Sequence, residues 1–390
     1  MHTTLDTARA RLPEIIGDIA SLVETETYSR DRSGLDNGLE CVRSLLALRL
    51  GAPAEEQLED DGVLGPTLKV TYPGSGPGRV LILAHYDTVW PTGTLAGWPL
   101  AEGTDPSGRA TLSGPGIFDM KTGLVQGIWA LKLLTDAGGP RPTVTFLFNG
   151  DEEIGSIGSR AAIEKAAQDA DAVLVLEATA GGAVKTGRKG VGIFTVTATG
   201  IEAHAGLDPA AGASAIHALA EFVTAAVGVA DLSRGTSINV GLIEGGSGSN
   251  VAAGHAKATI DIRVETAAEM ERVDRELDAI RISDDRVSLQ IEHFWNRPPM
   301  TADPGDPLLA LVREAALALG HELEDASVGG ASDANFVAAL GVPVLCGVGA
   351  VGNGAHARGE YIHPDAVPLY TALTADALSR LVNGLPPLHS

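Results

Sequence analysis

The sequence predicts an α/β protein in which a compact domain is inserted into a discontinuous one. Short apolar runs alternate with helical stretches over residues 67–180, and the same texture returns at 342–348. Strands that are apolar throughout belong inside a mostly parallel sheet that is covered by helices on both faces. Residues 190–295 differ, because they read as strand, helix, strand, strand, helix and strand. That order is typical of a split β-α-β-β-α-β unit.

The elements of the outer domain follow from its apolar runs and from the helical stretches between them. The runs RVLILA, TVTFLF and AVLVL precede His85, Asn149 and Glu177, and their length is that of buried strands. The stretch GLVQGIWALKLLTDAGG lies between the first two runs and predicts a helix. VPVLCGV at 342–348 predicts a further strand, and a C-terminal helix is expected around 366–384.

The inserted domain is predicted from its helices and from the strands beside them. The apolar stripe of its first helix consists of Ile216, Leu219, Ala220, Val223 and Val227. The second helix opens with a capping box from Thr266 to Glu269. The predicted domains are therefore an outer domain formed by residues 1–187 and 298–390, and an inserted domain formed by residues 188–297.

Composition and charge exclude several classes of function. The chain of 390 residues has 28 basic and 50 acidic side chains, and its formal net charge is −22. A field of that sign repels nucleic acid and anionic membranes. The chain has no apolar run of about 18 residues and no apolar signal core near its N-terminus, so a cytoplasmic protein is expected. Cys41 and Cys346 have no C-x-x-C spacing and are expected to be buried thiols, although a disulfide between them stays open.

Polar residues that can bind a metal follow several of the predicted strands. They are His85, Asp87, Glu152, Glu153, Glu177 and His356. The carboxyl ends of strands in an open α/β sheet converge on one crevice, so these side chains are expected to meet there. Asp119, in the loop GPGIFDMKTG, is a further candidate, although it could also cap the next helix. Two histidines with several carboxylates suit a divalent metal of the zinc type.

Six sequence features, in order, resemble those of the M20 family of dizinc metallopeptidases. They are HYDTV (85–89), GPGIFDMKTG (114–123), NGDEEIGS (149–156), Glu177, GGASDAN (329–335) and GAHARGE (354–360). The resemblance covers nearly the whole chain. It implies a zinc-dependent exopeptidase-like catalytic domain with a mixed sheet, and a ferredoxin-like inserted domain that acts as a lid and forms a homodimer.

The resemblance also implies two zinc ions per subunit. His85 and Glu177 would bind one zinc, Glu153 and His356 would bind the other, and Asp119 would bridge the two. These assignments come from the family's motifs. Taken singly, each residue also has an ordinary structural explanation, such as a hydrogen-bonded histidine or a solvated acidic pair.

Three further residues are implied to take part in catalysis. Asp87 would accept the second ring N–H of His85 and fix its tautomer. Glu152 would be the general base, and His204 from the partner subunit would stabilise the oxyanion. The residues implied to bind substrate are Asn250, Arg263, Arg297 and Lys185. The structural alternatives are a surface histidine for His204, a turn residue for Asn250, and structural ion pairs for the two arginines.

Among the subgroups, the chain most resembles the glutamate carboxypeptidases. This implies hydrolysis of an amide bond in an N-acyl amino acid or small peptide, with release of a C-terminal amino acid of the glutamate type. Two alternatives stay open. One is a deacylase of the acetylornithine, succinyl-diaminopimelate or aminoacylase type, and the other is a non-catalytic binding protein on the same fold.

Two other enzyme classes are disfavoured by the local sequence. GVGAVG at 347–352 matches G-x-G-x-x-G, but no amphipathic helix opens after it, as a dinucleotide site requires. The chain also has no G-x-S-x-G elbow of a serine hydrolase.

Overall fold

The structure of the protein is a computed structural model that describes residues 4–385. The described chain forms two compact units. The first unit runs to Thr186 and also contains Ala302–Val328 and the chain from Ser332 onward. The second unit contains Gly187–Thr301 and Gly329–Ala331. The predicted first boundary lies one residue from the observed one, whereas the predicted second boundary, after residue 297, falls four residues before Thr301.

Several helices begin at a side chain that caps the first turn. Asp31, Ser214 and Asp306 each accept a hydrogen bond from a backbone N–H of the helix that follows. The α-helices of the described chain are α1 (Thr4–Ala10), α2 (Leu12–Val23), α3 (Arg32–Leu50), α4 (Thr94–Gly97), α5 (Thr122–Asp136), α6 (Arg160–Gln168), α7 (Ala215–Val227), α8 (Ala267–Asp278), α9 (Pro307–Ala318), α10 (Ala334–Ala339) and α11 (Val367–Arg380).

The strands form three sheets. Within the described residues they are β1 (Glu55–Glu59), β2 (Thr67–Tyr72), β3 (Arg79–His85), β4 (Ala101–Thr104), β5 (Ala110–Ser113), β6 (Thr143–Asn149), β7 (Ala172–Val175), β8 (Val184–Arg188), β9 (Gly190–Thr199), β10 (Ser237–Gly245), β11 (His255–Val264), β12 (Ser288–Glu292), β13 (Trp295–Arg297), β14 (Asp325–Val328), β15 (Val344–Cys346), β16 (Gly352–Asn353) and β17 (Tyr361–Ile362).

The first unit is built on a mixed sheet in the order β1-β2-β6-β3-β7-β15-β8-β14. The strands β6, β3, β7 and β15 run parallel to one another, whereas β1, β2 and β8 pair antiparallel with their neighbours. Residues Val80 to Ala84 of β3 are at most 2% exposed, so both faces of the central strand are covered. Gly127 of α5 approaches Ile82 on one face, and Ala166 of α6 lines a cavity beside Leu81 on the other. A mixed α/β sheet with helices is therefore confirmed.

Two strands of this sheet are not apolar throughout. They are β6, which was predicted as an apolar run, and its neighbour β2. In β2 and β6, buried residues alternate with the half-buried Lys69, Thr71, Thr143 and Thr145. These four side chains line a cavity of about 500 Å³. The hydroxyl groups of Thr71 and Thr145 lie 3.1 Å apart and hydrogen-bond to each other. This half-buried face of the sheet therefore borders a cavity that Ala166 of α6 also lines.

The second unit contains an antiparallel sheet in the order β10-β11-β9-β12, and β13 also pairs with β9. The elements α7 and α8 follow β9 and β11 along the chain. The core of this unit includes Phe194, Phe222, Ile260 and Val273, all at most 1% exposed.

The predicted stripe of α7 is partly wrong. Ile216 and Val227 are 41% and 49% exposed, whereas Ala218, Phe222 and Ala226 are buried. Two apolar stripes lie side by side on this helix. The structure buries the stripe with the aromatic ring and the small alanines, which let the helix lie close to the sheet.

No helix between residues 4 and 385 has both the length and the apolar character that crossing a membrane requires.

Candidate metal centre

The parallel strands of the first unit bring the predicted metal ligands to one edge of the sheet. His85 is the last residue of β3 and lies opposite Asn149, the last residue of β6. Glu152 and Glu153 lie in the short 3-10 turn that follows β6, and Glu177 lies two residues after β7. These positions follow from parallel pairing, since the carboxyl ends of adjacent parallel strands share one edge.

The two ring nitrogens of His85 differ in their hydrogen bonding within the described residues: Nδ1 has an acceptor and Nε2 has none. Its Nδ1 lies 3.1 Å from the carbonyl oxygen of Asp87 and 3.3 Å from Oδ1 of the same residue. The main-chain oxygen is therefore the nearer acceptor, where the sequence predicted the carboxylate. The buried Nε2 makes no hydrogen bond within the described chain and lies 3.4 Å from Oδ1 of Asp119 and 3.8 Å from Oε1 of Glu177. A buried polar atom without a partner is costly, so this nitrogen fits a metal ligand.

A second group of ligands lies on the other oxygen of Asp119. Nε2 of His356 lies 3.4 Å from Oδ2 of Asp119 and 2.9 Å from Oε2 of Glu153. Ligand atoms of His85, Asp119 and Glu153 all lie within 4.8 Å of one another, which is a spacing that can hold a metal ion. The structure thus brings all five predicted ligands, including Glu177, into two adjacent sets that share Asp119.

The charges of this cluster influence one another strongly. Burial works against the ionised form of Asp119, but the neighbouring His356 and His85 rings outweigh it and lower the pKa of this carboxyl. Asp119 and Glu153 in turn raise the pKa of His356. Burial raises the pKa of Glu153, and His356 offsets this only in part. Buried carboxyls gathered around two imidazoles make a site that attracts a cation.

Asp87 holds the turn that carries Glu152 and Glu153. It is fully buried, and its carboxylate accepts hydrogen bonds from the backbone N–H groups of Glu152 (3.2 Å) and Glu153 (3.1 Å). The hydroxyl of Ser29 donates to the same carboxylate at 2.7 Å. Asp87 therefore contacts both His85 and the backbone of this acidic turn.

In the second unit, His204 and Asn250 lie on neighbouring segments. His204 pairs with Val251 in an isolated β-bridge, and the carbonyl oxygen of Asn250 accepts a hydrogen bond from the N–H of Ala205 at 2.8 Å. The Nδ1 atom of His204 accepts from the N–H groups of Gly206 and Leu207, each at 3.1 Å. An Nδ1 that accepts leaves the ring proton of a neutral imidazole on Nε2. His204 can therefore donate a hydrogen bond through Nε2.

The three remaining predicted substrate residues have different surroundings. Arg263 makes two hydrogen bonds of 2.8 Å with Asp261 on the same strand, which is the structural alternative for this residue. Arg297 is 6% exposed and donates through Nη1 to Asn296 at 2.9 Å. Lys185 lies on β8 in the first unit, beside Gly347, and makes no ion pair within the described residues.

Two buried charged residues of the first unit, Glu360 and Lys121, have no role predicted from the sequence, and each is 1% exposed. Oε1 of Glu360 accepts from the N–H of Phe118 at 3.2 Å, and Oε2 accepts from the indole N–H of Trp90 at 3.1 Å. Burial raises the pKa of Glu360 to about 8. Lys121 donates to the carbonyl oxygen of Thr25 at 2.8 Å, and burial lowers its pKa to about 8. Lys121 lies in the motif GPGIFDMKTG and Glu360 in the motif GAHARGE, but only the folded chain shows that both are buried.

Known proteins are similar to this chain in sequence and in structure. The sequence profile of peptidase family M20/M25/M40 matches residues 81–380. Carboxypeptidase G2 from Pseudomonas sp. (strain RS-16) is 30% identical over 375 residues, which cover 92% of this chain and 88% of that protein. A succinyl-diaminopimelate desuccinylase from Ectopseudomonas mendocina (strain ymp) is 29% identical over 289 residues, covering 69% of this chain and 75% of that protein.

A solved structure shows the same fold. The crystal structure of aminopeptidase PepT from Bacillus cereus ATCC 10987 matches with a TM-score of 0.78 at 20% sequence identity. The match covers 95% of this chain and 98% of that chain. At this level of identity the likeness concerns the architecture alone.

Proposed function

Because the chain belongs to peptidase family M20/M25/M40, we propose that it is a zinc-dependent amidohydrolase that releases a C-terminal amino acid from an N-acyl amino acid or small peptide. Family membership makes the chain a hydrolytic enzyme, so the non-catalytic binding protein is set aside. The observation that carries the proposal is the meeting of four other proposed ligand side chains around Asp119 in the first unit.

Two zinc ions suit this set of side chains. His85 and Glu177 would hold one ion, Glu153 and His356 the other, and Asp119 both. The buried Nε2 of His85, which has no hydrogen-bond partner in the described chain, supports this assignment. When bound, zinc ions polarise a substrate carbonyl and favour the ionisation of water near neutral pH.

Glu152 is the proposed proton carrier. Its backbone N–H is fixed by Asp87, and it adjoins the proposed ligand Glu153 without being needed as a ligand itself. Its carboxylate would take a proton from the attacking water and deliver it to the nitrogen of the leaving amine. A carboxylate placed within reach of both atoms can serve both steps, first as a base and then as an acid.

The second unit is proposed to be a ferredoxin-like lid that also forms a homodimer. His204, supplied by the partner subunit, would donate its Nε2–H to the oxygen that becomes negatively charged during attack. The two backbone N–H groups that point at Nδ1 support this role, because they fix the tautomer that donates through Nε2. A preorganised donor at a developing oxyanion is a strong contribution to catalysis.

The substrate is proposed to be an acyl or peptidyl amino acid with a free α-carboxylate, of the glutamate type. The similarity to carboxypeptidase G2 over 92% of the chain favours release of a C-terminal amino acid, and the resemblance to the glutamate carboxypeptidases favours glutamate. Asn250, Arg297 and Lys185 are the proposed substrate contacts. Arg263 is the weaker candidate for a carboxylate clamp, because Asp261 already occupies its guanidinium. A deacylase is the second candidate, favoured by the 29% identity to a succinyl-diaminopimelate desuccinylase.

A substrate panel tests the proposal. The panel holds N-acyl amino acids and dipeptides ending in Glu, Asp, Ala, Leu, Lys or ornithine, assayed with zinc present. We expect the highest kcat/KM for C-terminal glutamate, and no activity when the C-terminus is blocked. Preference for ornithine or for succinylated substrates would favour the deacylase. Equal activity on C-blocked substrates would contradict both.

A further inference from the structure

Asp333 is a buried carboxyl group to which the proposed reaction gives no part. It lies in the motif GGASDAN, directly before α10, and is 4% exposed. Its Oδ1 accepts a hydrogen bond from the hydroxyl of Ser156. Its Oδ2 accepts a hydrogen bond from the side-chain amide of Asn149 at 2.9 Å. The two donors are almost fully buried, at 1% exposure for Asn149 and 0% for Ser156.

The two donors stand at the ends of the segment that carries the proposed chemistry. Asn149 and Ser156 are the first and last residues of NGDEEIGS, with Glu152 and Glu153 between them. Asn149 is also the residue of β6 that lies opposite His85. One carboxyl group, 177 and 184 residues away along the chain, therefore holds both ends of this segment.

The conformation at the far end of the segment needs such support. Ser156 has a φ of 53°, in the left-handed region that residues other than glycine rarely adopt. Its N–H donates to the carbonyl oxygen of Asp151 at 2.8 Å, and its hydroxyl is bound by Asp333. Backbone held in a rarely populated region persists only where the surroundings fix it.

The middle of the segment is held separately. Asp87 accepts from the backbone N–H groups of Glu152 and Glu153. Asp151 accepts from the N–H of Gly158 at 2.7 Å and from the hydroxyl of Ser159. Removing the hold at the two ends would leave the segment held only at its middle, by the side chains of Asp87 and Asp151. Small displacements of a reacting group lower the rate strongly, so the ends matter for Glu152.

We infer that Asp333 is a positioning residue, which fixes the segment 149–156 so that Glu152 reaches the proton it carries and Glu153 reaches its cation. The part concerning Glu152 rests on the proposed function. The part concerning Glu153 does not need turnover, because it can be measured as affinity for a metal ion. Residues that orient ligands from outside typically change metal affinity or activity by about 10- to 100-fold when mutated.

The test is Asp333→Asn, which keeps the shape of the side chain but leaves one acceptor oxygen for two donors. We expect kcat to fall about tenfold at full zinc loading, with KM within about twofold of the unmutated protein. We also expect the zinc affinity, measured by competition with a chromophoric chelator, to fall about tenfold. A smaller effect in the same direction is expected for Ser156→Ala.

The matched control is Asp18→Asn in the same unit. Asp18 is 6% exposed, and its carboxylate accepts hydrogen bonds from Trp129 and Arg49. Within the described residues, neither partner is hydrogen-bonded to a proposed metal ligand. The substitution Asp18→Asn should lower the unfolding temperature and leave the kcat and the zinc affinity of the folded protein unchanged. A merely structural role for Asp333 would give the same result as this control and would overturn the inference.

Two further comparisons keep the test decisive. The double variant Asp333→Asn with Ser156→Ala should lose less activity than the two single losses combined, because both changes act on the hydrogen bond between Ser156 and Asp333. Additive losses would overturn the inference. If Asp333→Asn does not fold, the same measurements on Ser156→Ala decide. Should the unmutated protein hydrolyse no substrate in the panel, the proposed function fails, and the zinc affinities still test the hold on Glu153.

Discussion

The two units differ in how they balance the charged side chains that they bury. In the first unit, the carboxyls of Asp119 and Glu153 lie against the rings of His85 and His356. Each of these side chains is a potential metal ligand. Burial disfavours the ionised form of both carboxyls. At Asp119 the rings of His356 and His85 outweigh burial and lower the pKa, whereas at Glu153 burial prevails over the contact with His356 and the pKa is raised.

In the second unit, the buried carboxylate has cationic partners from its own chain. Glu269 is 3% exposed and accepts from Arg272 at 2.7 and 2.9 Å. The guanidinium of Arg234 lies 2.6 Å from its other oxygen, and the hydroxyl of Thr236 donates at 2.6 Å. These neighbours lower the pKa of Glu269, with the hydrogen bond from Arg272 as the largest cause.

The stability of the two units should therefore depend differently on bound cations. The second unit neutralises its buried charge within the chain, so its fold does not need an added cation. The first unit keeps grouped carboxyls whose repulsion is relieved when cations bind. Functional sites commonly hold such unfavourable electrostatics at a cost in stability. Removal of metal and substitutions in each unit should therefore affect the two units differently.

Removal of the metal should abolish activity and should lower the local stability of the first unit but not of the second. We expect about two zinc ions per chain, and complete loss of turnover with a chelator that zinc restores. Since a ligand at 100 times its Kd stabilises by about 2.7 kcal/mol, amide exchange should speed up in β6 after chelation. Exchange in β11, in the second unit, should not change.

Elemental analysis and hydrogen exchange by mass spectrometry measure these outcomes. Less than one equivalent of any divalent metal, after expression in metal-replete medium, would contradict the metal centre. Equal acceleration of exchange in both units would contradict the contrast between them.

Glu152→Gln should retain metal and lose activity. Glutamine has nearly the shape of glutamate but cannot carry the proton, so kcat should fall about 10²-fold or more with little change in KM. Steady-state kinetics and metal analysis on one preparation check this. Glu271→Gln, at an exposed position of α8, is the control and should leave kcat unchanged. Loss of metal in Glu152→Gln would instead make this residue a ligand.

His204→Ala tests whether the second unit of one subunit serves the first unit of another. Alone, this variant should lose about 10²-fold in kcat, the usual effect of removing an oxyanion donor. Mixed with Glu152→Gln, it should regain about a quarter of the unmutated activity. The reason is that random exchange makes half of the dimers mixed, and each mixed dimer has one complete site of two. Subunits that exchange without any gain would rule out action between subunits.

The order of elements could be predicted because hydrophobic period is a local property of the sequence. The strand ends then located His85, Glu153 and Glu177, since parallel pairing brings such ends together. The buried face of α7 could not be predicted in this way. Its two apolar stripes have the same helical period, and the structure buries Phe222 while leaving Ile216 41% exposed.

Side-chain contacts with residues that are distant along the chain also could not be predicted from local sequence patterns. The capping box of α8 forms only in part. Thr266 accepts from the N–H of Glu269, but the Glu269 side chain turns to Thr236 and Arg272 instead of capping Thr266. The hold of Asp333 on the segment 149–156 likewise spans more than 170 positions of the chain. No period or spacing in the sequence reports the pairing of Glu269 with Thr236 or of Asp333 with Asn149.

Glu269→Gln should destabilise the second unit and spare the first. The variant removes the charge that Arg272 and Arg234 share, and hydrogen bonds to charged groups contribute about 1.5–3 kcal/mol each. We therefore expect a loss of about 2 kcal/mol in the free energy of unfolding, with faster amide exchange in β11 and unchanged exchange in β6. Denaturant unfolding followed by hydrogen exchange at pH 7 measures both.

The effect of this substitution should depend on pH with a definite sign. The folded protein holds the pKa of Glu269 below the usual value, so its charge stabilises the fold above the unfolded pKa, and this contribution is lost as pH falls through the folded pKa. The difference between Glu269→Gln and the unmutated protein should thus be largest near neutral pH and shrink as pH falls below about 4.5. Glu271→Gln, exposed on the same helix, should show almost no difference at any pH. A difference that grows toward acid pH would mean that Glu269 is held neutral, and the second unit would then lack the internal charge balance that distinguishes it from the first.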